Sequence, residues 1–179
     1  MSIRVLAMAA PLWLVTGATP VRQAKPVPDV LRRPGETTIL SFVTGSGKMA
    51  SLCEGPKGSY LVYRFGTAVK TELQYPAVLD TSSWQKFTYW PYHRPGGVAN
   101  AGMENYELSF KNGGAEYTLV DHTEAYVMKG GEENYRRTVR LDVVLNGKAL
   151  DITVRQASVD GSLYLSDEQR DRVKLQWDE

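Results

Sequence analysis

The 179-residue sequence lacks the features that define several large protein classes. It has a single cysteine, Cys53, so no disulfide bond can form within the chain. Its 21 lysines and arginines are balanced by 20 aspartates and glutamates, which leaves a formal charge of +1. Nucleic-acid binders usually carry a basic excess that neutralises phosphates. The charge balance therefore argues against nucleic acid as a partner.

No apolar run is long enough to cross a membrane, which takes about 20 residues in a helix. The run Val5–Val15 follows Arg4 and leads to small residues that end at Ala18. This layout is typical of a secretory signal peptide, and we predict one over residues 1–18. A buried N-terminal helix is the alternative, but Pro11 would interrupt it. The mature chain would be exported, periplasmic or extracellular, and without a membrane span.

Prolines and cations without apolar periodicity dominate residues 19–36, which we predict to be a Pro-rich leader or linker. From residue 37 onward, short runs of β-branched and aromatic residues alternate with turn residues, which favours strands. We predict a single β domain over 37–179, an all-β antiparallel sandwich or barrel of about 8–10 short strands. A capping box at Ser166 predicts a short C-terminal helix through about Lys174.

Two hairpins can be predicted from their turn residues. Asn146-Gly147 favours a two-residue type I′ turn, because both positions require positive φ. The resulting register continues a strand through residue 156 and pairs apolar residues with each other, Val143 with Leu150, Leu141 with Ile152 and Val139 with Val154. A second hairpin turns within Asn112–Gly114, where two registers keep the apolar residues on one face. One of them places Leu108 opposite Tyr117, and the other places Phe110 there.

An aromatic cluster over Trp84–Gly97 is the strongest candidate for a binding site. On a strand, Phe87 and Tyr89 would share one face, and Trp90 and Tyr92 the other. Tryptophan, tyrosine and arginine dominate the hot spots of interfaces. We therefore predict five candidate residues for the binding of a ligand or a partner, namely Trp84, Trp90, Tyr92, His93 and Arg94. The alternative is that these rings belong to the core and to a loop that covers it.

No catalytic or metal-binding constellation is present in the sequence. Its two histidines, His93 and His122, and its one thiol cannot form a closed zinc site without carboxylates. The glycine-rich segment Thr44–Lys48 misses the phosphate-loop pattern at both ends. We therefore predict no catalytic residue, no metal site and no cofactor.

Two polar side chains, those of Arg64 and Cys53, lie within apolar stretches. Arg64 lies in an apolar strand, so it should point to solvent or form an ion pair with a carboxylate such as Glu72 or Glu104. Recognition of an anionic ligand is the functional alternative for this arginine. Cys53 lies in an apolar stretch and is predicted to be a buried structural thiol, because reactive cysteines need an electropositive, partly open setting.

Three motifs of the chain resemble those of a group of small secreted bacterial proteins. They are Y-x-x-Y-R-F-G at Tyr60–Gly66, E-L-x-[YF]-P at Glu72–Pro76 and F-x-N-G-G at Phe110–Gly114. The resemblance implies export and an all-β fold, and it implies no established activity. Members of the group often carry a further cysteine after the last long strand. This sequence has Arg155–Ala157 there, so a bridge to Cys53 is not expected.

These observations favour an exported, non-enzymatic binding module that presents Trp84–Gly97 or a sheet edge to a protein or an envelope component. An inhibitor or immunity-type protein would fit this size and fold. The enzymatic alternative is a hydrolase of envelope carbohydrate that uses carboxylates such as Glu104, Asp121 or Glu124. A structural envelope protein, tethered by the leader, is the third possibility.

Overall fold

The computed structural model describes residues 27–96 and 101–177. These residues form eleven strands and one α-helix, arranged in two sheets. The predicted all-β fold with a short C-terminal helix is therefore confirmed. The predicted signal peptide, residues 1–18, lies outside the described residues, as does the first part of the leader. Within the described ranges, no helix has the length and apolar character that a membrane span requires.

The first sheet has five antiparallel strands, β1 Thr37–Val43, β2 Met49–Glu54, β3 Leu61–Thr67, β4 Lys70–Tyr75 and β10 Asp160–Gly161. Their order across the sheet is β10-β1-β2-β3-β4. Alternate residues of β3 show how the sheet divides its two faces. Tyr63 belongs to the core between the sheets, so Arg64 points to the outer face.

The second sheet has six strands, β5 Thr88–Arg94, β6 Met103–Asn112, β7 Ala115–Val127, β8 Glu133–Leu145, β9 Lys148–Leu150 and β11 Lys174–Leu175. Their order is β11-β5-β6-β7-β8-β9, and only the β11–β5 pair is parallel. Its inner face packs against that of the first sheet around aromatic rings. Phe110 of β6 stacks on Tyr75 of β4 with ring centroids 4.5 Å apart and lies 5.1 Å from Tyr63 of β3.

The hairpin at Asn146-Gly147 forms with the predicted turn but with a shorter second strand. Both residues have positive φ, 51° and 78°, and Val143 pairs with Leu150 as expected. The predicted pairing of Ile152 and Val154 with β8 is wrong. After Leu150 the chain crosses to the first sheet, where the Gly45 N–H donates to the Thr153 carbonyl at 2.7 Å. This crossing satisfies backbone groups of both segments and packs Ile152 and Val154 against the core.

The second hairpin adopts one of the two predicted registers. Phe110 lies opposite Tyr117, and Leu108 lies opposite Leu119, so Gly113-Gly114 is the turn. Both glycines have positive φ, which suits a two-residue turn. The strand that follows, β7, is continuous over Ala115–Val127.

The C-terminal helix α1 spans Asp167–Arg170 and is shorter than predicted. The capping box at Ser166 is present, with its side chain accepting from the Gln169 N–H. The helix stops before Lys174 because Val173 enters the core and Lys174 begins β11 beside β5. Burial of Val173 and pairing with β5 together outweigh continuation of one more helical turn.

Residues 27–36 pack on the outer face of the first sheet, so the predicted linker ends earlier than residue 36. Leu31 and Glu36 are buried, with 5% and 3% of their surface exposed. The Asp29 carboxylate accepts hydrogen bonds from Thr38 at 2.8 Å and from Ser51 at 2.6 Å. The described part of the predicted leader is therefore part of the β domain.

A buried ion pair joins this segment to the sheet. Arg64 donates to both carboxylate oxygens of Glu36, from Nη1 at 2.7 Å and from Nη2 at 2.8 Å. Its Nε donates to the Gln74 side chain at 3.1 Å. Glu36 also accepts from the Arg33 N–H at 2.7 Å and from the Tyr60 hydroxyl at 2.9 Å. The donors of the guanidinium and the oxygens of the carboxylate are thus well matched, as a buried pair requires.

The expected partners of Arg64 were wrong, although the expectation of an ion pair was right. Glu72 pairs with Lys48 at 2.6 Å, and both side chains are about one-third exposed. Glu104 lies on the other sheet and contacts His93. Arg64 points to the outer face of the first sheet, and the segment that carries Glu36 covers it there.

Glu36→Gln should destabilise the fold by about 3 kcal/mol, because it leaves a buried guanidinium without its counter-charge. Urea unfolding followed by tryptophan fluorescence would measure the change. Glu72→Gln is the matched control, since it removes a carboxylate from an exposed pair and should cost less than about 1 kcal/mol. Equal effects of the two substitutions would contradict a special role for the buried pair.

The same pair should make stability depend on pH. Burial alone would raise the pKa of Glu36, but hydrogen bonds from Arg64, Arg33 and Tyr60 outweigh it and hold the pKa below its ordinary value of 4.5. The stabilisation is then fully present above about pH 4.5 and is lost as the pH falls through the folded-state pKa. The stability difference between wild type and Glu36→Gln should therefore be constant at neutral pH and shrink in acid. A difference that grows in acid would contradict this assignment.

Candidate functional site

Strand β5 divides the predicted binding residues between the two faces of the second sheet. Tyr89 is fully buried in the core, which fixes the direction of its neighbours. Trp90, Tyr92 and Arg94 alternate with it and lie on the outer face. His93 lies on the same side as Tyr89, at the end of the strand. The five predicted residues therefore do not form a single site.

Trp84 is a core residue, and its assignment to a binding surface was wrong. It lies in a 3-10 turn over Thr81–Lys86, before β5 begins, and only 1% of its surface is exposed. Its indole Nε1 donates to the Gly58 carbonyl at 3.0 Å, so the one polar group of the ring is satisfied inside the protein. A partner cannot reach it in the folded chain.

The outer face of β5 carries a pair of stacked rings. The ring centroids of Trp90 and Tyr92 lie 5.6 Å apart, and the ring planes differ by 17°. Both side chains are half-buried, as is Arg94 two residues further on. The stacked rings form one apolar patch on the sheet surface. The Arg94 guanidinium lies at one end of this patch.

Polar residues of β6 and β7 lie directly beside the stack. Glu107 is the cross-strand partner of Trp90, and Asn105 is the partner of Tyr92. The Asn105 amide donates to Glu107 Oε1 at 2.8 Å, and its oxygen lies 3.2 Å from Nδ1 of His122. These contacts hold the polar side chains in place. We call the surface formed by six residues of the outer face the aromatic face, namely Trp90, Tyr92, Arg94, Asn105, Glu107 and His122.

The sequence reasoning did not identify Asn105, Glu107 or His122 as neighbours of the aromatic rings. Alternation along β6 and β7 could have placed the three on one face of the sheet. Their position beside Trp90 and Tyr92 depends on the pairing of β5 with β6, and residues 95–102 between those strands are too long a connection to set a register, although they contain Pro-Gly-Gly.

His93 and Glu104 form a second polar cluster, at the end of the inner face. Nδ1 of His93 lies 3.4 Å from Oε1 of Glu104, and their side chains are 60% and 45% exposed. Two clefts, of about 220 and 550 Å³, lie on either side of the pair. An exposed pair of this kind contributes little to stability. The larger cleft is also lined by Tyr106, Tyr164 and Arg170, so the pair lies on an open, polar surface.

The three carboxylates of the enzymatic alternative do not face a common cleft. Asp121 is 2% exposed and accepts two hydrogen bonds from Arg137, at 2.7 and 2.9 Å, and one from the Leu163 N–H. Glu104 is the cross-strand neighbour of Thr123, so Glu124 points to the opposite face of the sheet. A glycosidase needs two carboxyl groups on either side of one bond, and this arrangement does not provide them.

Within the described ranges, no group of three histidine, cysteine, aspartate or glutamate side chains is arranged to hold a metal ion. Cys53 is fully buried under the segment of residues 27–36, 3.2 Å from the Ser51 hydroxyl. Burial, together with the negative charges of Asp29 and Glu36, raises the pKa of the Cys53 thiol to about 11. The thiol is therefore a structural group of the core, as the sequence predicted.

Compared with known families, curated proteins and solved structures, the chain gives no match.

The Cys53 thiol should resist alkylation by iodoacetamide in the native protein at pH 8, because it is both buried and protonated there. The same protein in concentrated urea should be alkylated fully, which intact mass spectrometry would detect. The urea sample is the control for reagent and time. Rapid alkylation of the native protein would contradict the burial of Cys53.

Proposed function

We propose that the protein is an exported, non-enzymatic binding module that docks a protein partner on the aromatic face. The observation that carries this proposal is the stacked pair of Trp90 and Tyr92, half-exposed on the outer face of the sheet with Arg94 beside it. Export rests on the charged and apolar pattern of residues 1–18.

The residue types of the aromatic face suit an interface. Tryptophan, tyrosine and arginine contribute most to hot spots. The two aromatic residues bury a large area and lose little side-chain freedom. The stack of Trp90 on Tyr92 restrains both rings before binding, which lowers the entropy that a partner must remove. Strands β5 and β6 provide a rigid base, so the rings keep a fixed spacing.

The side chains beside the rings indicate the charge and shape of the surface that a partner would need. Glu107 offers a carboxylate beside Trp90, and Arg94 offers a guanidinium beyond Tyr92. A complementary surface would therefore have an apolar pocket for two rings, with a basic group at one side and an acidic group at the other. A folded protein surface has this mixture, and an inhibitor or immunity-type role would use it to block a partner's own site.

The enzymatic alternative has less support. Asp121 is occupied by Arg137 and by the backbone of Leu163. Glu104 and Glu124 lie on opposite faces of the sheet. Support for a binding role comes from the half-exposed rings of Trp90 and Tyr92, and neither Glu104 nor Asp121 lies on their face of the sheet.

A double substitution, Trp90→Ala with Tyr92→Ala, should abolish capture of a stoichiometric partner from a periplasmic extract. Loss of both rings should weaken the binding of the purified partner at least about a hundredfold, since hot-spot residues each contribute 2 kcal/mol or more. Calorimetric titration of the purified partner would give the dissociation constant, and circular dichroism would show that the fold is retained.

The matched control is Tyr126→Ala with Tyr135→Ala, which removes two exposed rings from the β7–β8 hairpin. This variant should bind the partner like the wild type. If the two double variants bind equally well, the aromatic face is not the docking site. If wild-type protein and control both bind no protein while the purified chain cleaves an envelope polysaccharide, the binding-module proposal is wrong.

A further inference from the structure

A cleft of about 360 Å³ opens between the two sheets. It lies on the inner side of the second sheet, whereas the aromatic face is on the outer side. It lies where the chain leaves β9 and crosses to the first sheet. Strands β3 and β4 form one wall, and β7, β8 and the crossing segment form the other. Apolar side chains provide most of the lining, Phe65, Leu73, Leu141, Val143, Leu150 and Ile152. Its size lies within the range of small-molecule sites.

Two tyrosines line this cleft, Tyr63 and Tyr117, and Tyr63 is the fully buried one. The side chain lines the cleft, none of its surface is exposed, and its hydroxyl has no hydrogen-bond partner among the described residues. A buried hydroxyl without a partner destabilises the folded chain, because it loses its hydrogen bonds to water and gains none in return. Burial also raises the pKa of Tyr63, so the phenol keeps its proton and can donate it to a hydrogen-bond acceptor.

The charge of the cleft is balanced at its mouth. Among the described residues that line the cleft, Glu72 alone has a carboxylate or a cationic group, and it forms an ion pair with Lys48 at 2.6 Å. Nζ of Lys48 also lies 5.8 Å from the centre of the Phe65 ring. Neither an anion nor a cation would therefore find an unpaired charge here, and either would lose hydration on entering the apolar interior.

We propose that the cleft binds a small, neutral, mostly apolar molecule with one oxygen acceptor, which accepts the hydrogen bond of the Tyr63 hydroxyl. The apolar body would lie against Leu141, Val143 and Ile152. Leu150, with 42% of its surface exposed, lies at the entrance. This site is independent of the aromatic face, which lies on the outer side of the second sheet.

The test uses 6-propionyl-2-dimethylaminonaphthalene, a neutral fluorescent ketone, as the probe. Titrated with the purified chain, it should bind saturably at one molecule per chain, with its emission shifted to shorter wavelength. Tyr63→Phe should weaken binding by about two- to tenfold, the contribution of one hydrogen bond. Leu150→Trp should weaken it more than tenfold by filling the entrance.

Thermal unfolding without the probe separates a ligand role from a structural one. Tyr63→Phe should be as stable as the wild type or more stable, because it removes an unsatisfied hydroxyl and keeps the ring. Tyr164→Phe is the matched control, an exposed tyrosine beside a different cleft, and it should change neither binding nor stability.

Three results would overturn the proposal. The first is a titration that does not saturate, the second is unchanged affinity in either Tyr63→Phe or Leu150→Trp, and the third is a loss of stability in Tyr63→Phe. The Trp90→Ala, Tyr92→Ala variant should bind the probe like the wild type. Failure of the cleft and failure of the aromatic face can thus be distinguished.

Discussion

The buried ion pair between Glu36 and Arg64 organises the first sheet. A guanidinium in the middle of β3 needs a counter-charge and several acceptors, and these come from a segment that precedes the first strand. This requirement draws residues 27–36 across the outer face of the sheet. Leu31 and Cys53 are buried as a consequence, and the thiol becomes a structural group.

The two sheets therefore differ in what their outer faces can do. The outer face of the first sheet is covered by the protein's own chain, and its polar groups bond to that segment through Asp29 and Glu36. The outer face of the second sheet carries half-exposed rings and a short network of polar side chains. This difference is the reason why we place the proposed docking site on the second sheet, whose outer residues are of the kinds that partners use.

Buried polar groups in the described residues are mostly engaged with one another. Asp121 fastens β7 to Arg137 and to the chain around Leu163, which explains its burial without a catalytic role. The Tyr63 hydroxyl is an exception, and it lies on the wall of an apolar cleft. The Tyr63 hydroxyl differs from the paired groups, because a ligand in the cleft can supply its missing acceptor.

Local chemistry determined much of this protein from its sequence: the turn at Asn146-Gly147, the capping box at Ser166 and the all-β class. These features depend on residues close together in the chain. Only the tertiary structure decided the partner of Arg64, the burial of Trp84 and the neighbours of Trp90. Each of these depends on contacts between segments whose relative register no local pattern encodes, because an ion pair or a sheet pairing is selected by the packing of the whole core.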